Sequence, residues 1–266
     1  AYEQGEQIYA LVPEQYSFTN DLKLYEALGP TAFNAIQSLS FTSLARALFQ
    51  QYGGRSGEYA DDLTKTILLY QSIRALSDSS AFSHFDRQAK KPAFQDAAAK
   101  AITELRRGSI SPEALLEQTA RLEGRLRDKA ADLAVLYGDY DRQLREKGYK
   151  DSLTDITEAA ALCAGNEHFK GALLFLDEFE SFTGDQMEFL DVLFAQAKEL
   201  WITLRTEDPE APAYSVFDAT NATYRRLLAL AQKHGTGHEV LLCKEPFRFR
   251  YPDLAHISRS ILRPVH

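Results

Sequence analysis

The 266-residue sequence predicts an α/β fold, a parallel-sheet core interrupted by an all-helical insertion. Three observations carry that expectation. Strand, loop and helix signals alternate twice near the start and resume after Gly171. Between Asp61 and Ala164 the texture changes to Ala, Leu, Arg, Gln and Glu at helical spacing, with no strand candidate. The stretch Leu173-Leu174-Phe175-Leu176-Asp177-Glu178 is a short apolar run ending in two carboxylates, the pattern of a central strand buried on both faces. Residues 1–60 and 165–245 are assigned to the core, 61–164 to the insertion and 246–266 to a C-terminal segment.

The first strand is read over Gln7 to Val12 and stopped by Pro13. A polar loop follows, and Ser17 or Thr19 caps a helix that Gly29-Pro30 ends. A second strand runs from Ala35 to Leu39, and its loop opens a helix that closes before Gly53-Gly54. In the insertion, helices are expected at 61–76, 92–107, 111–120, 123–147 and 152–163. Pro92 and Pro112 suit first turns there, and Gly108 and Gly148 suit stops. After the organising strand, Thr183 and Gln186 form a capping box. Leu200 to Leu204 is another strand, Ala219 to Lys233 a long helix and Glu239 to Cys243 a last strand. The tail carries Lys244, Arg248, Arg250, Arg259 and Arg263 against Glu245 and Asp253.

Composition narrows the function. With 30 basic against 38 acidic residues and a formal charge of -8, general phosphate-backbone binding is not indicated. Nucleic-acid contact would be local or shared with a partner. No apolar run approaches the roughly 20 residues of a membrane span, and the first residues lack the regions of a signal peptide. Cys163 and Cys243 are too few and too far apart for a disulfide framework, so a reducing, cytoplasmic setting is expected.

The acids after Leu176 would lie at the carboxyl edge of the sheet, where ligands of open α/β sheets bind. In a P-loop NTPase-like core this is the Walker B strand, with Asp177 helping to hold magnesium and Glu178 orienting the attacking water. The other reading is an ordinary strand end with solvated acids. A phosphate-cradling loop ending in Lys-Ser or Lys-Thr is lacking; Gly53-Gly54-Arg55-Ser56-Gly57 comes nearest but has no lysine and reads as a turn. His234, His238 and Cys243 are read as turn and strand residues in preference to a zinc site, so no metal is expected in this chain. Three loops would share the edge: Glu14-Gln15-Tyr16-Ser17, Phe41-Thr42-Ser43 with Arg46, and Phe179-Glu180-Ser181-Phe182. Aromatic, amide, hydroxyl and guanidinium groups together suit unpaired bases; the alternative places Phe41 in the core and Arg46 on a solvated helix face.

The ordered segments Leu11-Val12-Pro13-Glu14-Gln15-Tyr16-Ser17-Phe18, Ser38-Leu39-Ser40-Phe41-Thr42-Ser43-Leu44-Ala45-Arg46 and Leu176-Asp177-Glu178-Phe179-Glu180-Ser181-Phe182-Thr183 resemble the N-terminal part of the AddB subunit of bacterial AddAB helicase-nucleases. The resemblance implies a superfamily 1 helicase domain 1A with a 1B-like helical insertion, in a complex that unwinds and resects broken DNA for recombination. It implies single-stranded DNA and the AddA helicase-nuclease subunit as partners. Glu14, Gln15, Ser17, Phe41, Ser43, Arg46 and Phe179 stand at the DNA-contacting loop positions. The resemblance leaves ATP and magnesium open for the intact protein and implies an iron-sulfur cluster only in a C-terminal nuclease beyond residue 266. Where relatives often carry Arg and Trp in the second loop, this chain has Ser43 and Arg46; where many show Asp-Gly-Phe, it has Asp177-Glu178-Phe179. Three functions are left open: a DNA-scanning helicase-like fragment without catalysis of its own, an ATP-driven motor using Asp177 and Glu178, and a scaffold for the partner subunit.

Overall fold

A computed structural model describes residues 6–54, 57–206, 208–210, 216–243 and 251–260. Arg55, Ser56, Lys244, Glu245, Arg248, Arg250 and Arg263, singled out above, lie outside the described residues. The chain divides into two compact units, Ala1–Ile202 and Thr203–His266, each described by itself.

In the first unit, β1 (Ile8–Leu11), β2 (Ile36–Leu39), β5 (Leu173–Leu176) and β6 (Glu199–Ile202) form one parallel sheet in the order β2-β1-β5-β6. Between β1 and β2 runs α1 (Ser17–Phe33), broken at Gly29, whose φ of 75° only glycine adopts readily, as the Gly-Pro pair predicts. From Ser40, whose hydroxyl accepts the Ser43 N–H at 3.1 Å, starts α2 (Phe41–Tyr52). The expected capping box of Thr183 and Gln186 opens α8 (Gly184–Gln196).

The pleat sorts side chains by face. Tyr9, Leu11, Leu174 and Leu176 are in register on one face and at most 2% exposed. Phe169 meets Tyr9 edge-on at 5.4 Å and Phe189 of α8 at 5.9 Å, which seats the helices of that layer on the sheet. There α7 (Asp155–Ala164) packs against both α2 and α8, and its Cys163 is fully buried. Burial pushes the Cys163 thiol up to about 11, so it behaves as a small core hydrophobe. Burial also holds the His168 imidazole below its ordinary value, while the hydroxyls of Tyr9 and Tyr52 sit 3.1 and 2.7 Å from its two nitrogens.

The other face corrects the two-sided burial expected of the Leu173–Leu176 strand. Phe175 is 41% exposed and stacks on Trp201, itself 47% exposed, in the paired register position. On that face α1 lies at β2, where Asn20 Nδ2 donates to Ser38 Oγ at 3.2 Å, two strands away from Phe175. The helix therefore leaves the Phe175 side of the sheet open.

The long helical stretch holds α3 (Asp62–Asp78), α4 (Pro92–Arg107), α5 (Pro112–Thr119) and α6 (Gly124–Glu146). Asp61 accepts the Thr64 N–H at 2.7 Å, and Ser111 accepts that of Ala114 at 3.1 Å, with prolines in the first turns of α4 and α5. Leu68, Leu69, Ile73, Ile102, Leu136 and Tyr140 are among the residues of a hydrophobic core belonging to these helices. The expectation of no strand here is corrected by a parallel ribbon, β3 (Glu58–Tyr59) with β4 (Tyr149–Lys150). Two residues per strand are too few to show alternation, so periodicity could not reveal it.

In the second unit α9 (Asp218–His234) ends at Gly235 in the left-handed region (φ 64°), and α10 covers Pro252–Ser260. Asn221, 1% exposed, donates through Nδ2 to Asp208 O at 3.1 Å and accepts from Thr206 Oγ1 at 2.6 Å. The strand expected at Glu239 to Cys243 does not form; these residues are irregular, with Leu241 61% exposed. A strand exists only as a member of a ladder, and among the described residues none pairs with this run. No helix among the described residues is long and apolar enough to cross a membrane.

Candidate nucleic-acid interface

Parallel pairing puts the carboxyl ends of β2, β1 and β5 at one edge of the sheet, so the three loops that leave them are neighbours by construction. Backbone bonds extend the ladder into them, from Val12 N–H to Leu39 O and from Asp177 N–H to Leu11 O, each 3.0 Å. After β1, Glu14–Tyr16 makes one 3-10 turn, closed by Tyr16 N–H on Pro13 O at 2.9 Å. Glu14 and Gln15 are exposed, Tyr16 is 39% exposed, and the half-buried Ser17 donates its hydroxyl to Glu14 O at 3.0 Å.

Phe41 and Ser43 lie in the first turn of α2, with Arg46 exposed in the next. The Phe41 ring is 2% exposed and meets Phe179, 5% exposed, edge-on at 5.7 Å. Phe182 and Phe189 complete the cluster at 6.3 and 5.8 Å from Phe41. The structure thus brings Phe41 and Phe179 together beneath the rim, where they hold the loops after β2 and β5 against each other. The groups offered to solvent along the edge are Glu14, Gln15, Tyr16 and Arg46, with Ser17 and Ser43 half-buried between them. Tyr16 was visible in the sequence only as one residue of a polar loop; the structure leaves it exposed at the rim.

Asp177 and Glu178 sit side by side and half-buried at the end of β5. Glu178 has φ 63°, a left-handed conformation rare for a residue with a Cβ, and Lys23 of α1 approaches it at 3.6 Å. Nothing in the sequence links Lys23 to Glu178, because the pairing depends on where α1 crosses the sheet. Among the described residues no group of three or more His, Cys, Asp or Glu could hold a metal ion. At the rim Glu14, Asp177, Glu178 and Glu180 outnumber Lys23 and Arg46, a balance unsuited to gripping phosphates.

These features define a mixed α/β protein whose parallel sheet carries a loop-built polar edge beside a helical segment. A family model described as ADDB, N-terminal, matches residues 1–258, and the chain belongs to that family. It is 30% identical over 258 residues to the B subunit of the ATP-dependent helicase/deoxyribonuclease of Clostridium perfringens, covering 94% of this chain and 22% of that protein. The corresponding proteins of Clostridium acetobutylicum and Acetivibrio thermocellus are 28% and 27% identical, again covering 94% of this chain and 22% of theirs. The chain spans about a fifth of the length of the curated relatives it matches.

Proposed function

We propose that the chain is the N-terminal, helicase-like part of the B subunit of an ATP-dependent helicase/deoxyribonuclease, acting in recombinational repair of double-strand breaks. In this reading it holds and scans single-stranded DNA along its sheet edge while the AddA subunit shares the complex. One observation supports it above the rest: the loops after β2, β1 and β5 share one edge, with Phe41 and Phe179 in contact beneath them. Gln15 offers an amide for a base edge, Ser17 and Ser43 offer hydroxyls, Tyr16 an exposed ring and Arg46 a cation.

The test is a fluorescence-anisotropy titration of a labelled single strand with the full-length protein and its partner subunit. Gln15→Ala and Arg46→Ala are expected to weaken binding about five- to tenfold each, the loss of a hydrogen bond or a charged contact at about 1 to 1.4 kcal/mol. Wild-type affinity in both variants would refute the rim as the contact.

A further inference from the structure

The β3–β4 ribbon is separate from the main sheet and packs through Tyr149 against the helical core. At Gly57, with φ 138°, a Cβ would lie 2.3 Å from Gly148 O, so the two strands meet with no room for a side chain. Its register sets Tyr59 directly opposite Lys150. The Lys150 ammonium lies 4.7 Å from the centre of the Tyr59 ring, and the tyrosine is 45% exposed. The ring is anchored at its far end, where the hydroxyl donates to Asp155 Oδ2 at 2.8 Å. Asp155 is only 3% exposed, so the acid is turned inward, while the ring is exposed and Lys150 half-buried beside it. The exposed Arg46 of α2 is near enough to act electrostatically on both Tyr59 and Asp155.

Single lone aromatics on a surface need no explanation. A fixed, half-exposed ring with a cation over it and a second cation beside it is a different matter. Proteins that hold single strands stack bases on such rings and meet the flanking phosphates with such cations. Arg46 is the link, since it belongs to the loop-rim set and also acts electrostatically on Tyr59 of the ribbon. We propose that Tyr59, on the ring face that Lys150 does not cover, forms a stacking platform for one base of single-stranded DNA, with Lys150 and Arg46 as flanking cations, prolonging the contact from the sheet edge across α2 to the ribbon. This rests on the single-strand reading given above. The site selects for an unpaired base because a π-face is available only out of the duplex, and it is indifferent to which base.

The experiment uses the full-length protein with its partner subunit and a labelled oligo-dT strand, read by anisotropy, with thermal melting of each variant alongside. Tyr59→Leu removes the π-face and should weaken binding about tenfold, within the range for one stacked base. Tyr59→Phe keeps the ring and loses only the bond to Asp155, so its affinity should stay near wild type even if its melting temperature falls. Lys150→Gln leaves the ring in place and should weaken binding severalfold, with a shallower dependence on salt. Wild-type affinity in Tyr59→Leu or, should that variant not fold, in Lys150→Gln overturns the platform. If Gln15→Ala weakens binding while Tyr59→Leu does not, the rim stands and the platform alone fails. If wild-type protein shows no affinity for the strand, the single-strand reading itself is lost.

Discussion

At Glu178 the backbone is left-handed, with φ 63°, the region where a Cβ crowds the neighbouring carbonyl and glycine is favoured. The turn from β5 into the Phe179 loop takes that conformation despite the side chain. The Lys23 contact offers little compensation, because at 3.6 Å and with the lysine side chain 64% exposed it is a solvent-screened pair. Glu178→Gly is therefore expected to hold or gain stability, by up to about 1 kcal/mol, and Glu178→Val to lose about 1 to 2 kcal/mol. Urea denaturation of the two variants checks this, and a glycine variant clearly less stable than wild type would contradict it. The pair Phe41 and Phe179 makes the matching point about reading sites from sequence. Aromatic residues in edge loops were legible as a set, but whether each ring faces solvent or core is decided by contacts with Phe182 and Phe189 that no local pattern encodes.

Among the helices, one polar group fixes the packing. Arg106 of α4, 5% exposed, binds Asp151 through Nη1 and Asp141 of α6 through Nη2. Tyr140 and Tyr137 lie 5.2 and 5.5 Å from its guanidinium carbon, and Lys65 of α3 reaches Asp151 at 2.8 Å. Three helices and the segment before α7 thus meet at one charge network. Burial raises the Asp141 carboxyl above its ordinary value, against the pull of Arg106. Removing the arginine would leave Asp141 without its cation and Asp151 with Lys65 alone, so Arg106→Ala should cost about 3 to 5 kcal/mol and melt the helical stretch early. Calorimetry would show it, and a loss under about 1 kcal/mol would mean water reaches the acids freely. At this scale the sequence was most legible where a helix is self-contained. Pro92 and Pro112 marked starts that the structure uses, because a first-turn proline acts through local geometry. Strands were less legible for the opposite reason: Tyr149–Lys150 exists because Glu58–Tyr59 is beside it, and the apolar run at 239–243 lacks a neighbour among the described residues.

Over the whole chain, 38 acidic against 30 basic residues leave any attraction to a polyanion to small local groupings, and the proposed contacts at the edge and the ribbon would draw on Arg46 and Lys150. Such groupings act together only if the helical stretch and the sheet layer keep their relation within the first unit. One junction bears on that directly. Gly184, the first residue of α8, sits so close to the end of α4 that a Cβ on it would lie 2.3 Å from the backbone carbon and oxygen of Gly108. Neither partner can yield by a side-chain rotation, because both are backbone. Gly184→Ala should therefore push α4 from α8 and cost about 1 to 3 kcal/mol, the usual penalty of overpacking. Gly165 provides the control: its φ is -89° and its nearest Cβ neighbour would be Leu162 O at 3.8 Å, so Gly165→Ala should be neutral or stabilise by up to about 1 kcal/mol through the unfolded chain. Thermal melts of the two alanine variants side by side separate the effect of contact from that of glycine itself. Equal melting temperatures would mean that the helices are not held together at this point. Because Glu178 and Phe182 lie only a few residues before Gly184 in the same loop, the strained variant should also loosen the edge, seen as faster amide exchange from 178 to 183.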